Sequence, residues 1–575
     1  MSEQPDTTDD GADSRLPLTR RQTLGALAAA GVLGASAVGQ EEDSELLNAG
    51  GGPMSDAQDQ FRVQRYRGTF DERPDAGIAR RVWEVDDPGH ENHGAIYVDD
   101  GESWELVDRK VGSLHAEELN NAIFTSSVGG VTEATDNADP GQTIVVDGVH
   151  EESVKLRTEN ITLLDGGGLI RTPEGAAGDH PDDGAIRVLA DGISIIGVEI
   201  DGNADNLGWD GDDREETRYA DGIGIYADNF EIRGCTIRDT LGHGIIPWNE
   251  PYPDPDRFDD VEEDDVEVEA RPSRDGKIID NWIFDCKDRT GIDVASTNND
   301  ADNCSNITVR GNHIIGGEDG PTDFHGVTVH TGEQITISDN HIRVPGRGLN
   351  LHSGAEEILC TGNDVESYRR FALRVNEGSI RINGGIYRSM EDICVISEGD
   401  DQITVQNAEL IGDADGEDTV NSEGDFDLIE LDDCKIINNG GRSGVNLTDG
   451  GEARVTDCDI VARRGIRLGD NNKSISNNNT VKVDDYGIRH DGINEISIID
   501  NNTVVLRDDE DLVAIWVISD DSRSFGNRIY DADVGVELDG EPDSVEVIHN
   551  RFQNVGPDIK GDSGADSETS PNFSV

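Results

Sequence analysis

The sequence predicts an all-β protein: a right-handed parallel β-helix preceded by a small N-terminal module. Three observations predict it. Short β-branched runs recur from about residue 140 to 555. Each alternates apolar and polar residues with period two and is bounded by Asn, Gly or Asp. The spacing is nearly constant: Gly326 to Gly348 is 22 residues, Gly444 to Gly465 is 21, and Gly465 to Gly487 is 22. No run of helical period and useful length follows the first 40 residues.

The elements follow in chain order. Residues 1–39 have the pattern of a twin-arginine export signal: Arg20 and Arg21, an apolar Ala/Gly stretch from Leu24 to Val38, and small residues Ala35-Ser36-Ala37 for cleavage. The stretch is too short and glycine-rich for a membrane span. Residues 40–60 read as an acidic linker, and 61–112 as a small β module. The β-helix is expected over 113–555, with a polar unstructured tail at 556–575.

The charge balance is 47 − 121 = −74. It argues against nucleic acid and anionic membrane surfaces as partners, because both need a basic face. It suits a halophile-type surface, since molar salt shortens the Debye length to roughly 3 Å and mutes repulsion among carboxylates. Asn160-Ile161-Thr162, Asn306-Ile307-Thr308 and Asn446-Leu447-Thr448 are acceptor sequons and fit an exported glycoprotein.

Two half-motifs alternate through the array. One is Gly-Φ-x-Φ, with Φ apolar, as at Gly222, Gly291, Gly326, Gly348, Gly444, Gly465, Gly487 and Gly535. The other places Asn, Cys or Gly at a turn between two strands, as in ITVRGNHI from Ile307 and ARVTDCDI from Ala453. A unit of this size cannot bury its apolar side alone, so coil stacks on coil. Asn281, Asn312, Asn340, Asn363, Asn502 and Asn550 are expected to form an inward ladder at one turn. Cys235, Cys434 and Cys458 occupy the same repeat position, and the seven cysteines are expected to be mostly free and buried. These repeats resemble those of the pectate-lyase-like superfamily over roughly 140–555. The resemblance implies the fold and a carbohydrate-related role.

Period-two alternation fixes which residues face out. The outward ladder reads Gly224 with Tyr226, Ile246 with Trp248, Asp293 with Ala295, Thr328 with His330, Asn350 with His352, Arg374 with Asn376, then Cys394 with Ile396. Tyr226 and Trp248 are expected to offer aromatic platforms to sugar rings, unless the insertion at 250–274 covers them. A second insertion spans 203–219. His330 or His352 is the candidate base and Arg374 the candidate partner of a carboxylate. Asp293 is a candidate acid or Ca2+ ligand; no cofactor is demanded outright. Asn350, Asn376 and His325 complete the candidate substrate contacts. Gly242-His243-Gly244 resembles part of a polygalacturonase signature, but its companion residues are missing in the right order, so that chemistry is not carried over.

The expected function is a secreted polysaccharide lyase or epimerase that abstracts the proton next to a uronate carboxylate. A glycoside hydrolase ranks second, because it needs two carboxylates and only Asp293, with Asp323 as partner, is evident. A non-catalytic, adhesin-type sugar-binding solenoid is the rival from another class.

Overall fold

The computed structural model describes residues 64–68, 81–85, 95–99 and 104–109, then 122–561 and 573–574. Within the long stretch it leaves out 176–183, 208–219, 254–265, 288, 295–302, 319, 353, 400, 493–495, 508–511, 520 and 540–543. The export signal, the linker, most of the tail and the centres of both insertions lie outside the described residues.

Two units divide the chain, residues 1–120 and 121–575. In the first, strands Gln64–Gly68, Arg81–Val85, Ala95–Asp99 and Trp104–Arg109 form one four-stranded sheet. The first pair is parallel and the next two are antiparallel.

The second unit is a parallel β-solenoid. One sheet has sixteen strands, from Val154–Leu156 to Ile559–Lys560, and every strand in it comes from a different coil. Two further sheets run beside it along the axis, carrying strands such as Glu231–Arg233 and Trp282–Phe284. The strands that matter below belong to the sixteen-stranded sheet. They are β1 (Ile186–Val188), β2 (Ile223–Ile225), β3 (Ile245–Pro247), β4 (Thr290–Val294), β5 (His325–Val329), β6 (Leu349–Leu351), β7 (Leu373–Val375) and β8 (Val395–Ser397).

Register between coils is one to one. Ile223 pairs Ile245, Ile245 pairs Ile292, and the series continues through Val327, Leu349, Leu373 and Val395. These Φ residues point inward and are buried. Stacked on those of the other sheets, they form one apolar core from Val131 to Phe552. The glycine ahead of each Φ is required by close approach. A Cβ on Gly244 would lie 2.5 Å from the Gly291 carbonyl oxygen, and one on Gly326 would lie 2.4 Å from that of Gly348.

The asparagine ladder forms as expected. Asn281 Nδ2 donates to Asn312 Oδ1 at 3.0 Å and to the Ile232 carbonyl at 3.0 Å. The Asn281 backbone N–H donates to the same Asn312 oxygen. Asn312, Asn340 and Asn363 repeat the pattern, as do Asn479, Asn502, Asn527 and Asn550 higher up. Between these runs the column holds Gly385, Ala408, Cys434 and Cys458, each one residue ahead of a paired strand position. Cysteine fits there because its small thiol fills the space while its N–H still bonds the next asparagine, as Cys458 does to Asn479. All seven cysteines are free and buried.

Asn312→Ala removes one acceptor used by two donors of Asn281. Each buried group left unsatisfied costs about 1–3 kcal/mol. Lys482→Ala removes only an exposed pair with Asp459, worth under about 1 kcal/mol. Denaturant unfolding in molar salt is expected to separate the two variants in that order.

Candidate functional site

Three vertical columns build the candidate site. The turn entering each strand carries Asp221, His243, Thr290, His325 and Arg347 on successive coils, each one residue before the glycine position. The middle outward column carries Asp293, Thr328, Asn350 and Arg374, paired directly across β4 to β7. The outer column lies just past the strand ends. Backbone N–H groups of His330, His352, Asn376 and Glu398 there donate to Val294, Val329, Leu351 and Val375.

A turn residue reaches diagonally to the middle residue of the next coil. Thr290 Oγ1 meets Thr328 Oγ1 at 3.3 Å in this way. His243 Nε2 meets Asp293 Oδ2 at 3.2 Å by the same step. The other ring nitrogen, His243 Nδ1, lies 3.0 Å from Asp221 Oδ1, which also accepts the His243 backbone N–H. Below, Arg187 lies 3.7 Å from Asp221. Above, His330 Nε2 lies 3.5 Å from Asp293 Oδ2. A buried charged chain, Arg187–Asp221–His243–Asp293, thus ends on an imidazole whose side chain is 35% exposed; Asp293 itself is 4% exposed.

Both nitrogens of His243 face carboxylates, so both donate and the ring is an imidazolium. Burial alone pushes its pKa down, but hydrogen bonds to Asp221 and Asp293 outweigh burial and the net shift is upward. For Asp293, burial raises the pKa; the charge of His330 and the bond from His243 overcome it and hold the carboxyl well below its usual range.

The next rungs form a second chain. His352 stacks on His330 with ring centroids 4.4 Å apart. Arg374 donates to Asn350 Oδ1 at 3.2 Å, leaving the Asn350 amide nitrogen to donate to His352 Nε2 at 2.8 Å. Burial, then the charges of His330 and Arg374, push the His352 pKa down to about 3, so the ring stays neutral. His325 Nδ1 accepts the Arg347 backbone N–H at 3.0 Å, and burial pushes its pKa to about 3.

Several expectations need correction. Tyr226 and Trp248 do not face a ligand; both are 1% exposed. They pack with Tyr252, which approaches Tyr226 to 4.9 Å, and with Val268, so the flanks of the 250–274 insertion cover them. Trp248 stands edge-on to His243, at 6.0 Å between centroids, and helps exclude water from the buried charges. Asn350, expected as a substrate contact, is buried, and so is Asp293, the candidate acid or Ca2+ ligand. Arg374 is 11% exposed and clamps Glu398 through Nε at 2.8 Å and through its NH2 group. The rung after Arg374 is Ile396 with Glu398, and Cys394 occupies the glycine column instead. Asn376 is partly exposed; Ala295 lies outside the described residues. Among the described residues, no group of three His, Cys, Asp or Glu is arranged to hold a metal ion. Both imidazoles lie on Oδ2 of Asp293, while its Oδ1 is buried and without a hydrogen-bond partner. Asp221 and Arg187 escaped sequence reasoning, and His243 was visible there only as the centre of Gly-His-Gly.

A family model described as a right handed beta helix region matches residues 184–365. One described as periplasmic copper-binding protein (NosD) matches 375–564. The first agrees with the solenoid and gives its hand. No curated protein matches. Among solved structures, a surface adhesin of Streptococcus pneumoniae is 14% identical, with TM-score 0.41, over 66% of this chain and 92% of its own. The A-module of a mannuronan C-5 epimerase from Azotobacter vinelandii is 13% identical, with TM-score 0.30, over 79% of this chain and 99% of its own. An alginate lyase from Paenibacillus is 13% identical, with TM-score 0.27, over 77% and 99%. Overlaps this low carry no function across.

His243→Ala leaves two buried carboxylates without their shared cation, and is expected to cost about 3–5 kcal/mol. Adding Asp293→Asn should recover part of that loss in denaturant melts. The His243 pKa is raised on folding, so its contribution is full below its ordinary value of 6.5 and fades as pH rises through the folded value. The thermal midpoint of the wild type should therefore fall on the alkaline side, and fall less in the double variant.

Proposed function

We propose that this chain is an exported carbohydrate-active enzyme that removes the proton next to the carboxylate of a uronate unit, as a polysaccharide lyase or epimerase does. One observation carries the reading: a surface imidazole, His330, stands against a buried carboxylate that is itself fixed by an imidazolium. With Asp293 accepting from Nε2, the lone pair is left on Nδ1. That nitrogen takes the proton. In a lyase the C–H electron pair becomes a carbon–carbon double bond as the bond to the glycosidic oxygen breaks, and water or the new imidazolium protonates that oxygen. In an epimerase a proton returns to the opposite face of the same carbon.

The covered aromatics change the supporting cast. Tyr226, Trp248 and Tyr252 form a low-dielectric wall that strengthens the Asp221–His243–Asp293 interactions. Asn376 and His352 flank His330 as candidate sugar contacts. Hydrolysis is disfavoured, because Asp293 is held by two imidazoles and Glu398 by Arg374. Export by the twin-arginine route rests on the leader at 19–38 and on the periplasmic family matched at 375–564. Copper is not part of the reading. Within that segment, His490 is locked between Ser476 and Ser497, and Cys434 and Cys458 stack without a third donor among the described residues.

The test incubates wild type, His330→Ala and Asp293→Asn in molar salt with polymannuronate, polyguluronate and polygalacturonate. Ultraviolet absorbance reads unsaturated ends, and solvent deuterium in the recovered polymer reads epimerisation. One polymer is expected to react, with His330→Ala slower by about a hundredfold or more. No product from any polymer, or an unaffected His330→Ala, would favour the non-catalytic binder.

A further inference from the structure

The turn column that supplies His243 also supplies Arg347, a cation with different partners. Arg347 enters β6 just as His243 enters β3, one residue before the glycine position. The diagonal step that sets His243 against Asp293 sets Arg347 against Arg374 on the next coil. Two guanidinium groups are therefore neighbours, where the equivalent lower pair joins opposite charges.

Among the described residues, Arg347 forms no ion pair, although Glu398 and Asp323 act on its charge. Its Nε is buried and without a hydrogen-bond partner. Its backbone N–H is committed to His325, and among the described residues no carboxylate lies within ion-pair distance of its side chain. Glu398 is the nearby acid, but Arg374 already clamps it through two nitrogens. A third guanidinium stands beside this pair. Arg370 precedes β7, and its backbone is pinned by Ser367 and Ser389, whose hydroxyls donate to its carbonyl at 2.7 and 2.8 Å. Its side chain is exposed. Burial, then the charges of Arg374 and Arg370, lower the Arg347 pKa, as expected of a cation crowded by cations.

Composition does not explain such a cluster. In a chain of net charge −74, three neighbouring arginines, with only Glu398 and Asp323 acting against their charge at Arg347, are a local reversal. Holding an unpaired cation beside another costs stability, and groups kept at such a cost are characteristic of sites built for a ligand. The charge of Arg347 is felt at the His352 ring, so the cluster borders the imidazole pair.

We propose that Arg347, with Arg370 beside it, binds the carboxylate of an acidic sugar unit. The assignment rests on the proposed function and refines it: the carboxylate-holding group is Arg347, while Arg374 positions Asn350 and Glu398. The end of a planar guanidinium, its two terminal nitrogens, suits a carboxylate bidentately, and a sugar unit lying between this cluster and His330 presents its acidic end to the arginines.

Calorimetric titration tests this in molar salt with trisaccharides of mannuronate, guluronate and galacturonate and their methyl esters. Wild type is expected to bind at least one acid trisaccharide. Arg347→Gln should bind it roughly tenfold or more weakly, Arg347→Lys should recover part of the loss, and the ester should not distinguish wild type from Arg347→Gln. The thermal midpoint of Arg347→Gln should match or exceed that of wild type, because the substitution relieves like-charge contact. Equal binding by wild type and Arg347→Gln, no binding of any acid form by wild type, or a clearly lowered midpoint overturns the proposal. Intact acid-specific binding without turnover would sustain the subsite and reject the reaction.

Discussion

Parallel register between coils is the constraint on which everything else depends. Strands stack about 4.8 Å apart, and a position on one coil recurs directly above on the next. Glycine carbonyls approach too closely for a Cβ at positions such as Gly244 and Gly326, and the asparagine ladder stitches the opposite turn. Together they hold successive coils from slipping. A slip of one residue would turn Asp293, Asn350 and Arg374 inward and bring Ile292, Leu349 and Leu373 to the surface. The columns of polar groups are thus a product of the stacking and need no separate architecture.

On that frame the charged groups are arranged by cost. Burying Asp221, His243 and Asp293 is expensive unless each is paired, and each is. The aromatic wall from Tyr226, Trp248 and Tyr252 lowers the local dielectric, which raises both the cost of breaking the chain and its rigidity. The exposed end, His330, inherits a fixed orientation from groups that cannot move. Three coils higher the balance is reversed: the charges of Arg374 and Arg370 outweigh those of Glu398 and Asp323 at Arg347. One solenoid face carries a locked imidazole–carboxylate end and an arginine-rich end.

Much of this was legible in the sequence. The Gly-Φ-x-Φ motif gives both the fold and the middle column, because alternation and coil spacing are properties of the residues themselves. Asp293, Thr328, Asn350 and Arg374 fall on one line, as do His330 and His352. Legibility fails where the repeat does. The rung at 394–398 has no glycine to anchor the count, so Cys394 takes the glycine column and Glu398 is overlooked. The aromatics are covered by residues outside the repeat, Tyr252 and Val268, and no periodicity describes those. His243 and Arg347 act through a diagonal from the turn, a direction that strand alternation leaves unspecified. Each miss is a side chain whose position is set by a neighbouring coil or an insertion.

The orientation of His330 depends on the protonation of His243, since an imidazolium there is what fixes Asp293 and, through it, His330. Ring-nitrogen NMR of histidine-labelled protein, assigned by comparison with His243→Gln, measures this directly. One imidazole should keep both ring nitrogens protonated at neutral pH and titrate only on the alkaline side. A His243 ring found there as a single neutral tautomer would contradict the buried chain and the orientation of His330 that depends on it.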